Sequence, residues 1–259
     1  MFYIDQFVHT NQMRTAHPGE RVAFAIATMI ITVAVSQVAI HLAVVAIMVG
    51  FLLYKAKIPA HVLLKLFSVP SSFLILGVIT IAFQVDGNPA GMLWTVNLGP
   101  VYLGFTQASL STAAQTLLKS LSAVSCLYFL VLTTPMTEII HLLKQMHIPD
   151  IFLDLMMIIY RFIFVFVETA FHIYTSQSSR WGYAGFRRSI RSFGLLFANL
   201  WAKGFAKSQN IFTSLQSRGY EGEFNILTPV YAWSLPNIMI FGLIDLGLIL
   251  AALYGGLLL

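Results

Sequence analysis

The run IFLDLMMIIYRFIFVFVETAFHIYT, residues 151–175, is apolar enough to cross a membrane, yet it carries Asp154, Arg161 and Glu168. These three stand seven residues apart, nearly two helical turns, so they share one helix face. A charge at the centre of a spanning helix costs about 2.5–3.5 kcal/mol, which makes a face of three a poor span. If 151–175 did cross, Arg187, Arg188 and Arg191 would lie outside unless 193–215 crossed back. That later stretch is amphipathic. Phe193, Leu196, Phe197, Leu200, Trp201, Phe205, Phe212 and Leu215 oppose Asn199, Lys203, Lys207, Asn210 and Ser214. Residues 151–175 and 186–216 therefore read as long helices at or under the inner membrane surface, the first partly embedded.

The rest of the chain supplies the membrane. Of 259 residues, 58% are hydrophobic and 10% charged, where soluble domains carry roughly a quarter charged. A single Cys126 in an apolar run excludes a disulfide framework or a Cys-rich metal site, and reads as a small buried hydrophobe. The net charge of +5 marks a cytoplasmic face rather than a nucleic-acid footprint, so no nucleic-acid partner is expected. The first twenty residues are polar and contain Asp5, Arg14 and Glu20, which is not the pattern of a cleavable signal.

A helix that spans the hydrocarbon layer needs about 20 mainly apolar residues. Candidates run from Val22 to Ser36, His41 to Tyr54, Phe67 to Val85 (entered through Pro70), Ser109 to Thr134, and Asn237 to Tyr254. Arg14 and Arg21 precede the first, Lys55, Lys57 and Lys65 follow the second, and the loop 86–108 has no Lys or Arg. The segment 135–228 holds Lys144, Arg161, Arg180, Arg187, Arg188, Arg191, Lys203, Lys207 and Arg218; only Lys119 departs from the pattern. The positive-inside rule then places the N-terminus in the cytoplasm and the C-terminus outside. The expected fold is an all-α integral membrane protein with about five transmembrane helices and long cytoplasmic helices. Its parts are 1–134 (N-terminal segment and four spans), 135–228 (cytoplasmic) and 229–259 (the last span).

Two stretches of 135–228 echo each other: Ser179-Arg180-Trp181-Gly182-Tyr183-Ala184-Gly185-Phe186 and Ser217-Arg218-Gly219-Tyr220-Glu221-Gly222-Glu223-Phe224. Each follows a long helix and sets an arginine in the last turn before glycines able to adopt a φ > 0 cap. One copy would be an ordinary C-cap with a cation complementing the helix dipole. Two copies point to a docking surface, for which the planar guanidinium supplies a fork of donors that lysine lacks.

At this point the chain resembles the T component of energy-coupling factor importers, the CbiQ/NikQ-type transmembrane subunit of cobalt and nickel uptake systems. The resemblance lies in Ile4-Asp5, His17-Pro18, Leu132-Thr133-Thr134-Pro135, Ile159-Tyr160-Arg161-Phe162-Ile163-Phe164 with Glu168-Thr169-Ala170, and Ser217-Arg218-Gly219-Tyr220-Glu221-Gly222. It covers nearly the whole chain and implies a membrane scaffold joined to cytoplasmic coupling helices. Two Ala-Arg-Gly-like motifs of such proteins dock into two copies of a P-loop ATPase subunit; here they fall on Ser179, Arg180, Trp181 and on Ser217, Arg218, Gly219. Trp181 stands where glycine is usual. The resemblance also implies a separate metal-binding membrane subunit of the CbiM/NikM kind, a small accessory membrane subunit, and a bacterial cytoplasmic membrane. ATP belongs to the ATPases, and no cofactor is expected on this chain.

Other chemistry is thinly represented. No Gly-x-x-x-x-Gly-Lys-Ser/Thr loop exists. His9, His17, His41, His61, His141, His147 and His172 form no His-Glu-x-x-His, and neither a metal site nor a catalytic residue is expected here. Ionisable residues in or near spans are read as structural: Lys119 and Asp245 could pair if the fourth and fifth spans touch, while Asp154, Arg161 and Glu168 hold the long helices. Two alternatives are a stand-alone secondary metal transporter, short of polar residues in spans one to three, and an integral membrane enzyme using Asp154, Glu168 or Asp245 with a histidine.

Overall fold

The computed structural model describes residues 8, 11, 13, 16–86, 92–97, 102–219 and 233–257. Ile4-Asp5, Arg14 and Tyr220–Phe224, all used above, lie outside the described residues. The chain divides into two units, Met1–Pro135 with Val230–Leu259, and Met136–Pro229.

The first unit holds α1 (Pro18–Ala34), α2 (Val38–Gly50) continued by a π-helical turn to Lys55, α3 (Ala60–Ala82), α4 (Gln107–Thr133) and α8 (Leu235–Leu257). Among the described residues, four stretches are long and apolar enough to cross a membrane: Val38–Lys55, Ala60–Ala82, Gln107–Thr133 and Leu235–Tyr254. The first expected span corresponds to α1, which has 17 residues and carries Glu20 and Arg21 in its first turn. At about 1.5 Å per residue it reaches roughly 25 Å, short of the ~30 Å hydrocarbon layer.

α4 is the hub against which α1, α2 and α3 pack. Lipid tails are as apolar as leucine, so close packing and interhelical hydrogen bonds hold such helices together. The packing is an aromatic cluster: Phe24 stacks on Phe241 at 4.4 Å and meets Phe129 edge-on at 5.6 Å. Val44, Met48, Leu52 and Leu132 are fully buried around it, with Cys126 among them. Polar contacts between these helices include Thr28 Oγ1 to Asp245 Oδ1 (2.8 Å) and Gln37 Nε2 to the Ala252 carbonyl (3.0 Å).

Pro70 lies inside α3, not at its entry, because α3 begins at Ala60. A proline has no N–H to give the carbonyl four residues back, here that of Leu66. The Tyr128 hydroxyl of α4 donates to that carbonyl at 2.8 Å, so a neighbouring helix satisfies what the proline frees.

The stretch between α3 and α4, read from sequence as a loop, contains a small antiparallel sheet. Its strands are β1 (Gln84–Asp86), β2 (Met92–Asn97) and β3 (Tyr102–Thr106), ordered β1-β3-β2. Gln84 faces Gly104 and Thr95 also pairs with Gly104 from the other side. Thr106 and Ser109 form a reciprocal capping box at the start of α4, and Ser109 Oγ donates to the Ala82 carbonyl at the end of α3 (3.0 Å). The minor sheet joins two helices and leaves an all-α membrane fold.

The second unit holds α5 (Met136–Gln145), α6 (Asp150–Ser179) and α7 (Phe186–Gln216). α5 was not anticipated; it is a short amphipathic helix tied to the start of α6 by Lys144 and Asp150 at 3.4 Å. α6 extends from Asp150 to Ser179, and α7 begins and ends as the amphipathic pattern indicates. They approach closely at Gly204, where an added Cβ would stand 2.8 Å from the ring of Phe166. Gly204→Leu is therefore expected to push α6 and α7 apart at a cost of about 1–3 kcal/mol, read as a lowered thermal midpoint of the purified chain in detergent. An unchanged midpoint would mean that Phe166 swings aside freely.

Candidate functional site: two capped helix ends

Both Ser-Arg motifs close a long helix of the second unit. At the end of α7, Ser217 Oγ donates to the Thr213 and Ser214 carbonyls, the Arg218 amide to Leu215 at 3.0 Å, and the Gly219 amide to Gln216 at 3.1 Å. Gly219 takes φ +73°, the left-handed conformation that ends a helix and that glycine adopts without a Cβ penalty. Arg218 is exposed.

The end of α6 repeats this geometry on a different sequence. Ser179 Oγ donates to Thr175 (2.9 Å), the Arg180 amide to Gln177 (3.2 Å) and the Trp181 amide to Ser178 (3.0 Å). Trp181 takes φ +58° where the other motif has glycine, a conformation costing a side chain about 1–2 kcal/mol. A closed network holds it there. The Gly182 amide donates to the Gln177 carbonyl (2.9 Å), Tyr183 Oη to Gln177 Oε1 (2.8 Å), Gln177 Nε2 to the Ser192 carbonyl (3.1 Å), and Ser192 Oγ to the Gly182 carbonyl (2.7 Å). Any Cβ at Gly182 would meet the Gln177 carbonyl at 2.7 Å. Trp181 itself is 75% exposed, so nothing in this corner uses its ring. Trp181→Gly is expected to raise the thermal midpoint of the isolated chain by the equivalent of about 1 kcal/mol; a fall would show that the indole stabilises the corner.

The remaining residues singled out from sequence fall as follows. Glu168 pairs with His172 on the same helix (3.8 Å) at an exposed position, and Arg161 is exposed. Neither of the described salt bridges joins Arg161 to Asp154 or Glu168. Asp154 has one carboxylate oxygen buried without a hydrogen-bond partner among the described residues. Asp245 is engaged by Thr28 of α1 rather than by Lys119, while Lys119 lies near enough to His41 to act on it electrostatically. Among the described residues, no three His, Cys, Asp or Glu side chains gather as a metal site. α6 and α7 also line an apolar groove of about 450 Å³, with Phe166, Phe197, Trp201 and Phe205 on its walls.

A membrane unit of long apolar helices and a second unit ending twice in an exposed arginine have known counterparts. The profile of the CbiQ cobalt transport protein family matches residues 9–228. The chain belongs to that family. A cobalt transport protein CbiQ of Salmonella typhimurium is 33% identical over 159 residues, 61% of this chain and 71% of that one. A protein of Methanocaldococcus jannaschii is 28% identical over 250 residues, covering 96% and 92% of the two chains. A fused cobalt transport protein CbiMQ of Methanocorpusculum labreanum is 30% identical over 249 residues, 93% of this chain and 41% of the longer fused one. This is therefore a multi-pass membrane component of cobalt transport, from a family of transport proteins and not of enzymes.

Sequence reasoning missed the buried pair Glu20 and Arg21. It used Arg21 only as a basic residue ahead of the first span, whereas the side chain lies within α1, wholly buried and bonded to backbone carbonyls. A buried cation does not report on a charged surface. The one signal in the sequence was the placement of both charges inside the first turn of an apolar helix.

Proposed function

We propose that this chain is the non-catalytic coupling subunit of an ATP-driven cobalt importer, passing motion from two P-loop ATPase subunits to a separate metal-binding membrane subunit. The observation that carries the reading is the duplication of one helix end: an exposed arginine ahead of a left-handed cap, at Arg180–Trp181 and again at Arg218–Gly219. A tryptophan forced into a glycine's conformation supports a geometry kept for a partner. Two such ends suit two copies of one ATPase, each receiving a guanidinium fork at a carboxylate or an exposed helix end. Rigid-body movement of the long helices would then transmit ATP-driven closure.

The membrane partner is a CbiM-like subunit. A relative that fuses both names in one chain supports this, since fusion holds together what otherwise assembles. Five crossings, with local thinning of the bilayer around the short α1, keep the N-terminus and the second unit on the cytoplasmic side. Arg187, Arg188 and Arg191 stand exposed in the first two turns of α7, where the helix dipole disfavours cations, so an anionic surface such as the inner leaflet favours their placement.

The test is purification of the tagged chain from its native membrane in mild detergent. A P-loop ATPase and a small metal-binding membrane protein should co-purify, and cobalt uptake into vesicles should require ATP. Uptake by the chain alone without ATP would sink this reading in favour of a secondary transporter.

A further inference from the structure

The first turn of α1 buries two adjacent charges, Glu20 at 4% exposure and Arg21 at 0%, that the transport reading does not use. Neighbours on a helix point about 100° apart, so each reaches a different part of the chain. The Arg21 guanidinium donates to the carbonyl of Thr133, the last residue of α4, and to that of Ala16 at 3.1 Å. Glu20 Oε1 accepts the amide N–H of Ser234 at 2.7 Å, immediately before α8. Two further contacts repeat the pattern. Asn11 Nδ2 donates to the Leu132 carbonyl at 2.9 Å, and the His17 ring stacks on Trp233 at 3.8 Å.

The position of these contacts along the chain gives them meaning. The chain leaves the first unit after Pro135 and returns at Val230. Leu132 and Thr133 precede the exit, Trp233 and Ser234 follow the return, and a single segment, Asn11 with His17–Arg21, grips both. Apolar packing would hold these strands side by side but let them slide. Charge-assisted bonds to individual backbone groups fix them along the axis as well.

The geometry points to Asn11 and His17–Arg21 as a positioning clamp that immobilises both chain crossings, so that force on the second unit moves its helices instead of slackening their attachments. Glu20 is the residue through which the return crossing is held. This inference rests on the coupling role proposed above.

The experiment uses the complete importer in proteoliposomes, reading cobalt ions imported per ATP hydrolysed. Glu20→Ala should lower that ratio about tenfold, the weight of one hydrogen bond to a charged group, with subunit stoichiometry and ATP hydrolysis retained. Glu20→Gln, whose amide oxygen still accepts from Ser234 but without the charge, should recover part of the loss and leave the ratio about threefold below wild type. If Glu20→Ala does not accumulate, Glu20→Asp keeps the charge but shortens its reach, and should show the same loss. An unaltered ratio in Glu20→Ala, or an equal loss in Glu20→Gln, overturns the clamp while leaving the coupling role standing. Full ATPase association with the double substitution Arg180→Glu/Arg218→Glu overturns the coupling role and the clamp with it.

Discussion

Arg218→Glu is expected to strip one of the two ATPase copies from the purified complex and to abolish cobalt uptake in cells. The arginine is exposed at the end of α7, with its own backbone fixed by bonds to Leu215 on one side and the Gly219 cap on the other. Its guanidinium therefore leaves the helix from a defined point, and no salt bridge within the described residues diverts it. Reversing the charge replaces a fork–carboxylate attraction with repulsion. Loss of one member of a desolvated charge pair at an interface costs about 2–5 kcal/mol, or some thirtyfold to several thousandfold in affinity. Arg218→Lys should fall between, since the charge remains and the bidentate geometry goes. Because the side chain is exposed, helix content by circular dichroism should not change. Arg180→Glu should act in the same direction, and the double substitution should leave no ATPase bound. Full association in the double variant would end the docking idea.

The two motifs also show where sequence reasoning reaches its limit. Periodicity and capping chemistry located α7, whose ends at Phe186 and Gln216 coincide with the amphipathic pattern, and they placed Gly219 at a helix end. These are local properties, set within a turn or two of the residue concerned. A tryptophan can take the place of that glycine because Gln177, Gly182, Tyr183 and Ser192 close around it, and Ser192 is a turn into the next helix. Hydropathy alone could not show this.

The same limit applies in the membrane unit. Pro70 looks like a helix boundary until Tyr128 is seen to answer the carbonyl it frees. The strands between α3 and α4 have no strong alternating pattern, and pair through a register that only the fold supplies. Asp245 finds Thr28 across two helices distant in sequence, where the sequence left a pairing with Lys119 open. For Pro70 and Asp245 the partner lies tens of residues away, and a reading by composition assigns the residue to whatever its neighbours suggest.

Arg21 is the extreme instance, and Arg21→Ala should be the most destabilising single change in the membrane unit. The largest of the fully buried side chains among the described residues, it bonds the carbonyls of Thr133, itself wholly buried, and of half-buried Ala16. Truncation adds the loss of donors, about 1–3 kcal/mol for buried groups left unsatisfied, to a cavity penalty of the kind that costs a large core residue about 2–5 kcal/mol. The sum is about 3–8 kcal/mol, or a fall of at least roughly 6 °C in the thermal midpoint for a chain of this size. Arg21→Met separates the parts. It fills most of the volume but donates nothing, so it should recover the cavity portion and keep the hydrogen-bond portion of the loss. Arg21→Lys should do better than either, reaching one carbonyl but not both. Midpoints measured by intrinsic fluorescence in one detergent should fall in the order wild type, Lys, Met, Ala. Equal midpoints for Met and wild type would show that volume alone matters at this position and that the bond to Thr133 does not hold the end of α4.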